Sequence, residues 1–133
     1  MALIMAGHNI PYFASATPAY PDDFLRKVQK AKNIKGFRFL HIFSPCPTGW
    51  RYPSRLTIEL SRLAVKTRIF PLIEIESKSR FTINYKEPDA LSVDEYIKLQ
   101  GRYSYRTSEE MASLQKEVDE TWDWLEWLAS YQG

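Results

Sequence analysis

The sequence predicts an α/β fold followed by an α-helical tail, and two patterns support this. Residues 10–44 contain a strand, a helix and a second strand, which in so short a stretch is typical of a βαβ unit with parallel strands and a right-handed crossover. An amphipathic repeat then begins after Thr107 and continues to about residue 130. With 133 residues, of which 44 % are apolar and 26 % charged, the chain has the size and composition of a globular domain.

Four segments have the composition of β-strands. They are IPYFASAT (10–17), FRFLHIFS (37–44), FPLIEIES (70–77) and RFTINYK (80–86). The second segment is almost continuously apolar, so we expect it to be buried on both faces. The third and fourth are joined by a short polar turn and favour a hairpin. Glu74 and Glu76 alternate along the third strand, and we expect both of them to face solvent.

Capping residues and apolar repeats predict five helices. They cover ALIMA (2–6), which Gly7 ends, residues 20–36, residues 54–67, residues 92–100 and the long segment after Thr107. Asp22 and Asp23 begin the second helix, where they complement the helix dipole and are poor candidates for catalytic acids. We expect the apolar stripe of that helix at Phe24, Val28 and Ala31.

Caps and aromatic residues characterise the later helices. Ser54 is expected to cap its helix, whereas Ser92 with Glu95 and Thr107 with Glu110 have the spacing of capping boxes. The apolar stripe of the last helix consists of Met111, Leu114, Val118, Trp122, Leu125 and Ala129. Trp122, Trp124 and Trp127 span more than one face of it. Core packing and a subunit interface explain this tryptophan cluster equally well.

Composition also excludes several classes of function. The net charge is only +2 and the basic residues are scattered among acidic ones, so nucleic-acid binding is not predicted. No stretch approaches the roughly 20 apolar residues of a membrane span, and a single cysteine cannot form an internal disulfide. We therefore expect a cytoplasmic protein. The GxGxxG, GxxxxGK[ST], HExxH and CxxC motifs are all absent from the sequence.

The single cysteine, Cys46, lies in SPCPTGWRYP (44–53), directly after the second predicted strand. Ligands of open α/β sheets bind beyond the carboxyl ends of the strands, and Pro45 and Pro47 would hold the thiol rigidly there. A lone cysteine is most often a small buried hydrophobe. A nucleophile would need a base, and neither His8 nor His41 is well placed in the sequence. A cluster ligand would need further ligands from outside this chain.

Three segments together resemble a known family. They are IPYFASATPAYPDDFLRKVQKAK (10–32), HIFSPCPTGWRYPSRLTIELSRLAV (41–65) and FPLIEIE (70–76). They resemble the C-terminal part of the beta subunit of the pyruvate:ferredoxin oxidoreductases, within the wider family of 2-oxoacid:ferredoxin oxidoreductases. The resemblance implies the C-terminal half of a thiamine-diphosphate-binding-type α/β domain, with a parallel sheet and a terminal hairpin, at residues 1–105. Residues 106–133 would then form a C-terminal helical tail.

This family decarboxylates a 2-oxo acid on thiamine diphosphate with Mg²⁺, transfers the acyl group to coenzyme A, and passes electrons through [4Fe–4S] clusters to ferredoxin. The resemblance implies that Cys46 is one ligand of such a cluster. It places the other three cysteines and the thiamine diphosphate motif in the N-terminal half of the beta subunit. The implied partners are that half, the alpha-, gamma- and delta-type subunits and ferredoxin, with no nucleic acid and no membrane.

Two consequences of the resemblance can be tested. The chain alone is expected to be inactive. The apolar strand at 37–44 is too hydrophobic for a solvated sheet edge, so the isolated chain is expected to be poorly soluble or to oligomerise. The alternative function is a non-catalytic interaction module, or a remnant, that packs against partner subunits.

Overall fold

The computed structural model describes residues 1–77 and 80–131. In chain order the elements are α1 (Ala2–Gly7), β1 (Tyr12–Ala16), α2 (Pro21–Asn33), β2 (Arg38–Ile42), α3 (Pro47–Trp50), α4 (Thr57–Lys66), β3 (Ile73–Glu76), β4 (Arg80–Ile83), α5 (Val93–Ile97) and α6 (Ser108–Ser130). Short 3₁₀ helices at Ser54–Leu56 and Gly101–Tyr103 precede α4 and α6. The α/β class is confirmed, and α3 is an additional helix within the loop that the prolines predicted.

The strands form one sheet in the order β2-β1-β3-β4. β1 and β2 are parallel, as the βαβ pattern predicted, and Ala14 lies opposite Leu40. β3 runs antiparallel to β1, and β4 runs antiparallel to β3, so the sheet is mixed, with one parallel pair among the described strands. The pairing of the predicted hairpin is confirmed, whereas its turn at residues 78–79 lies outside the described residues.

One face of the sheet packs against α1 and α6. Its core consists of Ile10, Phe13, Ile73, Ile75 and Leu125, all buried, with Ala2, Met5 and Ala6 of α1 packed against them. Phe13 stacks on Phe39 of the neighbouring strand with 6.0 Å between ring centroids. The apolar stripe of α6 is confirmed, because Val118, Trp122 and Leu125 are buried.

α2 covers the opposite face of the sheet, with only part of the predicted stripe. Ala31 packs on Tyr12 and Ala14, whereas Val28 is 38 % exposed and Lys27 is fully buried. Lys27 tolerates burial because its ammonium donates hydrogen bonds to the Ser15 carbonyl at 2.8 Å and to Asp23 at 2.6 Å. The prediction that Val28 faces the sheet was therefore wrong, because Lys27, whose ammonium is hydrogen-bonded, occupies the inward position.

A second core lies beneath α4 and α5 and consists of Tyr52, Leu60, Ala64, Tyr96 and Ile97. The predicted cap at Ser54 was wrong, because this residue begins the 3₁₀ helix and makes no side-chain cap. Ser92 does cap α5, by accepting from the Asp94 amide rather than in a capping box with Glu95. The capping box of Thr107 and Glu110 at the start of α6 is confirmed.

β2 occupies one edge of the sheet, and its two terminal residues are exposed while its three central residues are half-buried. The expectation that it is buried on both faces was wrong, because all five of its residues are exposed or half-buried. The tryptophan cluster is divided, with Trp122 in the core and Trp124 and Trp127 exposed. Across residues 1–77 and 80–131, none of the helices combines the length and the apolar character needed to span a bilayer.

Candidate functional site

Cys46 lies beyond the carboxyl ends of the two parallel strands. The chain leaves β2 after Ile42, and the amide of Phe43 still donates to the carbonyl of Ala16, at the end of β1, over 2.8 Å. Three residues later comes Cys46, which is exposed, and Pro45 before it is buried. The interpretation of Cys46 as a small buried hydrophobe is therefore wrong, because the residue is exposed.

The backbone of the Cys46 loop is fixed by a single helical turn. Cys46 is the N-cap of α3, its carbonyl accepts from the Trp50 amide at 3.0 Å, and Pro47 occupies the first turn of the helix. The Gly49 amide donates to the Sγ atom of Cys46 at 3.4 Å. Arg51 then ends the turn in a left-handed conformation with φ of 57°. The thiol is thus accessible, and it already accepts one backbone hydrogen bond.

An aromatic cluster supports this loop from below. Trp50 packs against Phe43 and Tyr52, with ring centroids 5.8 and 6.5 Å apart, and Phe43 packs against Phe70 at 4.9 Å. Tyr52 is buried in the second core. Because these rings connect α3 to the core beneath α4, the loop is anchored to packed side chains and not only to its own backbone hydrogen bonds.

The histidines give little support to a thiol enzyme. The ring of His41 packs edge-on against Phe70 at 5.2 Å, and burial together with the positive N-terminus lowers the pKa of His41. Within residues 1–77 and 80–131, no three His, Cys, Asp or Glu side chains approach closely enough to hold a metal ion. Cys46 can therefore supply one thiolate to a metal group, and the described residues do not supply a complete ligand set.

A second cluster of polar groups lies between β3 and α2, and the sequence analysis missed it. Glu74 is only 2 % exposed, so the expectation that it faces solvent was wrong. Its carboxylate accepts hydrogen bonds from four side chains, at 2.6–2.9 Å: Tyr12, Arg26, Lys30 and Asn84. Lys30 also pairs with Glu76 at 2.7 Å, so Glu76 is engaged and half-buried.

These contacts shift the pKa values of the cluster. Burial alone would raise the pKa of Glu74, but the hydrogen bonds from Lys30, Tyr12 and Arg26 lower that pKa to about 2. Burial and the hydrogen bond to Glu74 raise the pKa of Tyr12. Glu74 is therefore ionised and Tyr12 protonated at neutral pH. Since each charge has an opposite charge or a hydrogen-bond donor beside it, this cluster is a structural ion-pair network.

One sequence signal could have revealed this network. Arg26 and Lys30 are four residues apart, so they share one face of α2, and Glu74 and Glu76 are two residues apart, so they share one face of β3. Two positive charges on one helix face and two negative charges on one strand face are complementary. Pairing them would have predicted that α2 covers β3.

Comparison with known proteins gives the site its context. A scan of the chain against models of protein families finds no match. A ketoisovalerate oxidoreductase subunit (VorB) of Pyrococcus abyssi is 48 % identical over 132 residues, and a pyruvate synthase subunit (PorB) of Methanocaldococcus jannaschii is 51 % identical over 120 residues. These matches cover 98 % and 90 % of the chain, respectively. The chain is homologous to beta subunits of the 2-oxoacid oxidoreductases.

The resemblance inferred from the sequence is thus confirmed. A more distant beta-subunit relative, from an NADH-dependent phenylglyoxylate dehydrogenase of Aromatoleum evansii, is 35 % identical over 133 residues. The chain spans 42 % and 40 % of the length of the first two relatives and 30 % of the third. The SPCPTGWRYP segment, with its exposed cysteine, lies within the part that matches the two archaeal subunits.

Proposed function

We propose that this chain is part of the beta subunit of a 2-oxoacid:ferredoxin oxidoreductase, an enzyme complex that converts a 2-oxo acid, coenzyme A and oxidised ferredoxin into acyl-CoA, carbon dioxide and reduced ferredoxin. The observation that carries this proposal is the identity of 47–51 % to VorB and PorB subunits over 90–98 % of the chain. The names of the relatives that we compared all refer to 2-oxo acids or their products. The proposed substrate class is therefore a 2-oxo acid, and pyruvate is the first candidate.

Cys46 is the residue to which we assign a direct role, as one thiolate ligand of a [4Fe–4S] cluster. The donor set fits this assignment, because the thiol is exposed at the carboxyl edge of the sheet and a backbone amide already donates to its sulfur. Such amide hydrogen bonds stabilise the negative charge of a thiolate and influence the reduction potential of an attached cluster. When bound, the cluster supplies one-electron transfer.

The remaining parts of the machinery would come from outside this chain. One cysteine supplies one of the four thiolates that a [4Fe–4S] cluster requires. We assign the other three, together with the site for thiamine diphosphate and Mg²⁺, to the N-terminal part of the longer beta subunit. The alpha-, gamma- and delta-type subunits and ferredoxin are the proposed partners. The chain by itself is then a structural component with one ligand and no catalytic residue.

The role of Cys46 can be tested in the assembled complex. Wild type, Cys46→Ser and Cys46→Ala are purified anaerobically, and the iron content and the visible absorbance of the clusters are measured for each. We expect Cys46→Ala to lose the iron of one cluster, because removal of one thiolate leaves an open coordination position. Cys46→Ser should lose part of that iron, because a serine oxygen is a poorer ligand for iron than a thiolate. Ser108→Ala, at an exposed position of α6, is the control and should retain all of the iron.

Retention of iron in the Cys46 variants would favour the alternative function. If both Cys46 variants keep the iron of the wild type, the cysteine is not a ligand, and the chain is better described as a non-catalytic interaction module. Exposed Trp127, Phe37 and Ile42 would then be the apolar groups available to partner subunits.

A further inference from the structure

The segment between α5 and α6 lies directly against the loop that carries Cys46. We propose that residues 100–102 position this loop, so that the sulfur of Cys46 is presented in one fixed orientation. This assignment deepens the proposed function and rests on it, since a fixed thiolate matters only where the thiolate is a ligand. It gives Gly101 and Arg102 roles that act through the loop and not through direct contact with a reacting group.

Gly101 is the point of closest approach between the two segments. Its amide donates to the carbonyl of Arg51 at 3.0 Å, and that carbonyl belongs to the left-handed residue that ends α3. A Cβ atom at position 101 would lie 2.8 Å from the Arg51 carbonyl oxygen and 2.9 Å from the Arg51 Cβ. Backbone atoms cannot yield cheaply to such a contact, so a side chain here must push the two segments apart.

Arg102 contacts the same turn through the ring of Trp50. Its guanidinium lies 3.9 Å from the centroid of the Trp50 ring, a distance typical of a cation–π contact, and 4.7 Å from that of Tyr103. Trp50 is the last residue of α3, and Cys46 is the N-cap of the same helix. The stacked arginine therefore restrains the end of the helix whose beginning carries the thiol.

Gln100 fixes the orientation of Arg102. It is only 1 % exposed, and its side-chain oxygen accepts from the Nε atom of Arg102 at 2.9 Å. Its side-chain nitrogen donates to the Tyr96 carbonyl of α5 at 3.0 Å. A continuous set of contacts thus runs from the buried core through Gln100 and Arg102 to Trp50.

External support of this kind is required because α3 is too short to be stable by itself. It has four residues, and helices become marginally stable in water only at about 12 residues or more. Phe43 and Tyr52 pack against the Trp50 ring. Residues 100–102 provide a second support, through the contact of Arg102 with Trp50 and the hydrogen bond of Gly101 to Arg51. Weakening the contacts of residues 100–102 with Trp50 and Arg51 should therefore release the Cys46 loop while the sheet remains intact.

The experiment compares Gly101→Ala, Arg102→Ala, Arg102→Lys and Arg106→Ala in the assembled complex. Arg106 is the matched control, because it belongs to the same segment and its guanidinium pairs instead with Asp94 at 3.0 Å. After removal of iron with a chelator, the rate at which iodoacetamide alkylates Cys46 is followed by mass spectrometry of the peptide that contains it. Iron per complex and the melting temperature are measured on untreated samples.

We expect Arg102→Ala to lower the alkylation rate by up to about fivefold, because a released loop loses the Gly49 amide that stabilises the charge of the attacking thiolate. Gly101→Ala should lower the rate at least as far. Arg102→Lys should lie between Arg102→Ala and wild type, since an ammonium can also make a cation–π contact with Trp50, and Arg106→Ala should match wild type. In the untreated samples, iron should decrease in the same order as the alkylation rate.

The proposal is overturned if Gly101→Ala and Arg102→Ala alkylate at the rate of Arg106→Ala. It is also overturned if alkylation in all of the variants merely follows the melting temperature, because that pattern would indicate general destabilisation. If Gly101→Ala does not fold, the comparison of Arg102→Ala and Arg102→Lys with Arg106→Ala tests the proposal. Failure of the proposed cluster role would appear separately, as iron that is retained in Cys46→Ala, and leaves the alkylation result interpretable.

Discussion

Glu74 combines nearly complete burial with hydrogen bonds from four side chains, and this combination sets the energetics of the contact between α2 and the sheet. A buried carboxylate is costly unless its lone pairs and its charge are satisfied. Here Arg26 and Lys30 supply positive charge, while Tyr12 and Asn84 supply neutral donors. Removing the central acceptor would leave these donors together in a poorly solvated space, so the network should fail as a unit.

We therefore expect Glu74→Gln to lower the free energy of unfolding by about 3 kcal/mol, the usual cost of removing one partner from a buried ion pair. The matched control is Glu126→Gln, which removes an exposed pair with Lys86. Exposed pairs contribute little, so this variant should melt at the wild-type temperature. Thermal denaturation of the two variants at the same protein concentration provides the comparison. Equal effects of the two substitutions would show that the Glu74 network does not stabilise the fold.

The pH dependence follows from the direction of the shift. The pKa of Glu74 is lowered from 4.5 to about 2, so its contribution is fully present above pH 4.5 and is lost as the pH falls through about 2. The difference in stability between wild type and Glu74→Gln should consequently be constant near neutral pH and shrink progressively below about pH 4.5. Urea denaturation of both proteins at a series of pH values measures this difference. A difference that does not change down to pH 2 would contradict the assignment.

This residue also shows why part of the structure could not be predicted. The alternation of Glu74 and Glu76 correctly places them on one face of a strand, but alternation does not reveal whether a helix covers that face. Lys27 illustrates the same limit, because hydrophobicity ranks it below Val28, whereas the inward position depends on the nearby Ser15 carbonyl. By contrast, the position of Cys46 beyond a strand end follows from the prolines and the β2 pattern that surround it, although its exposure was not predicted.

At the scale of elements, local sequence patterns were sufficient to predict a helix cap or a strand pair when the two interacting parts lie close together in the sequence. The capping box of Thr107 and Glu110 and the parallel pairing of β1 with β2 both depend on residues within one short segment. The antiparallel placement of β3 beside β1 joins residues about 60 positions apart, and no local pattern encodes it. The same holds for residues 100–102, whose contact with the Cys46 loop spans about 50 residues.

The cap of α6 gives an element-scale prediction. The Thr107 hydroxyl accepts from the Glu110 amide, and the Glu110 carboxylate accepts from the Thr107 amide at 2.8 Å, so Thr107→Ala should lower the free energy of unfolding by about 1 kcal/mol. Thr107→Ser keeps the hydroxyl and should lie close to wild type. Because α6 packs on the sheet through Leu125, the loss should appear in global unfolding, measured by circular dichroism. Equal stabilities of the alanine and serine variants would contradict the role of the cap.

At the scale of the whole molecule, the sheet edge formed by β2 carries exposed apolar side chains. β2 is an edge strand, and apolar side chains lie at or beside both of its ends: Phe37 is 63 % exposed and Ile42 is 45 % exposed. Soluble proteins usually protect such an edge with charges, proline or a covering element. The chain spans about two fifths of the length of the first two relatives, and under the proposed function the remaining part of a longer beta subunit would cover this edge.

The isolated chain should accordingly self-associate through β2, in a manner that depends on concentration. Ile42→Lys should shift the equilibrium toward monomer, because a charged side chain at a strand edge opposes pairing with another copy. Leu25→Lys, at a position of α2 that is 57 % exposed, is the matched control and should leave the equilibrium unchanged. Sedimentation velocity over a wide range of concentrations distinguishes the three proteins. A wild-type chain that remains monomeric throughout, or an equal shift in both variants, would mean that β2 is not the surface that needs a partner.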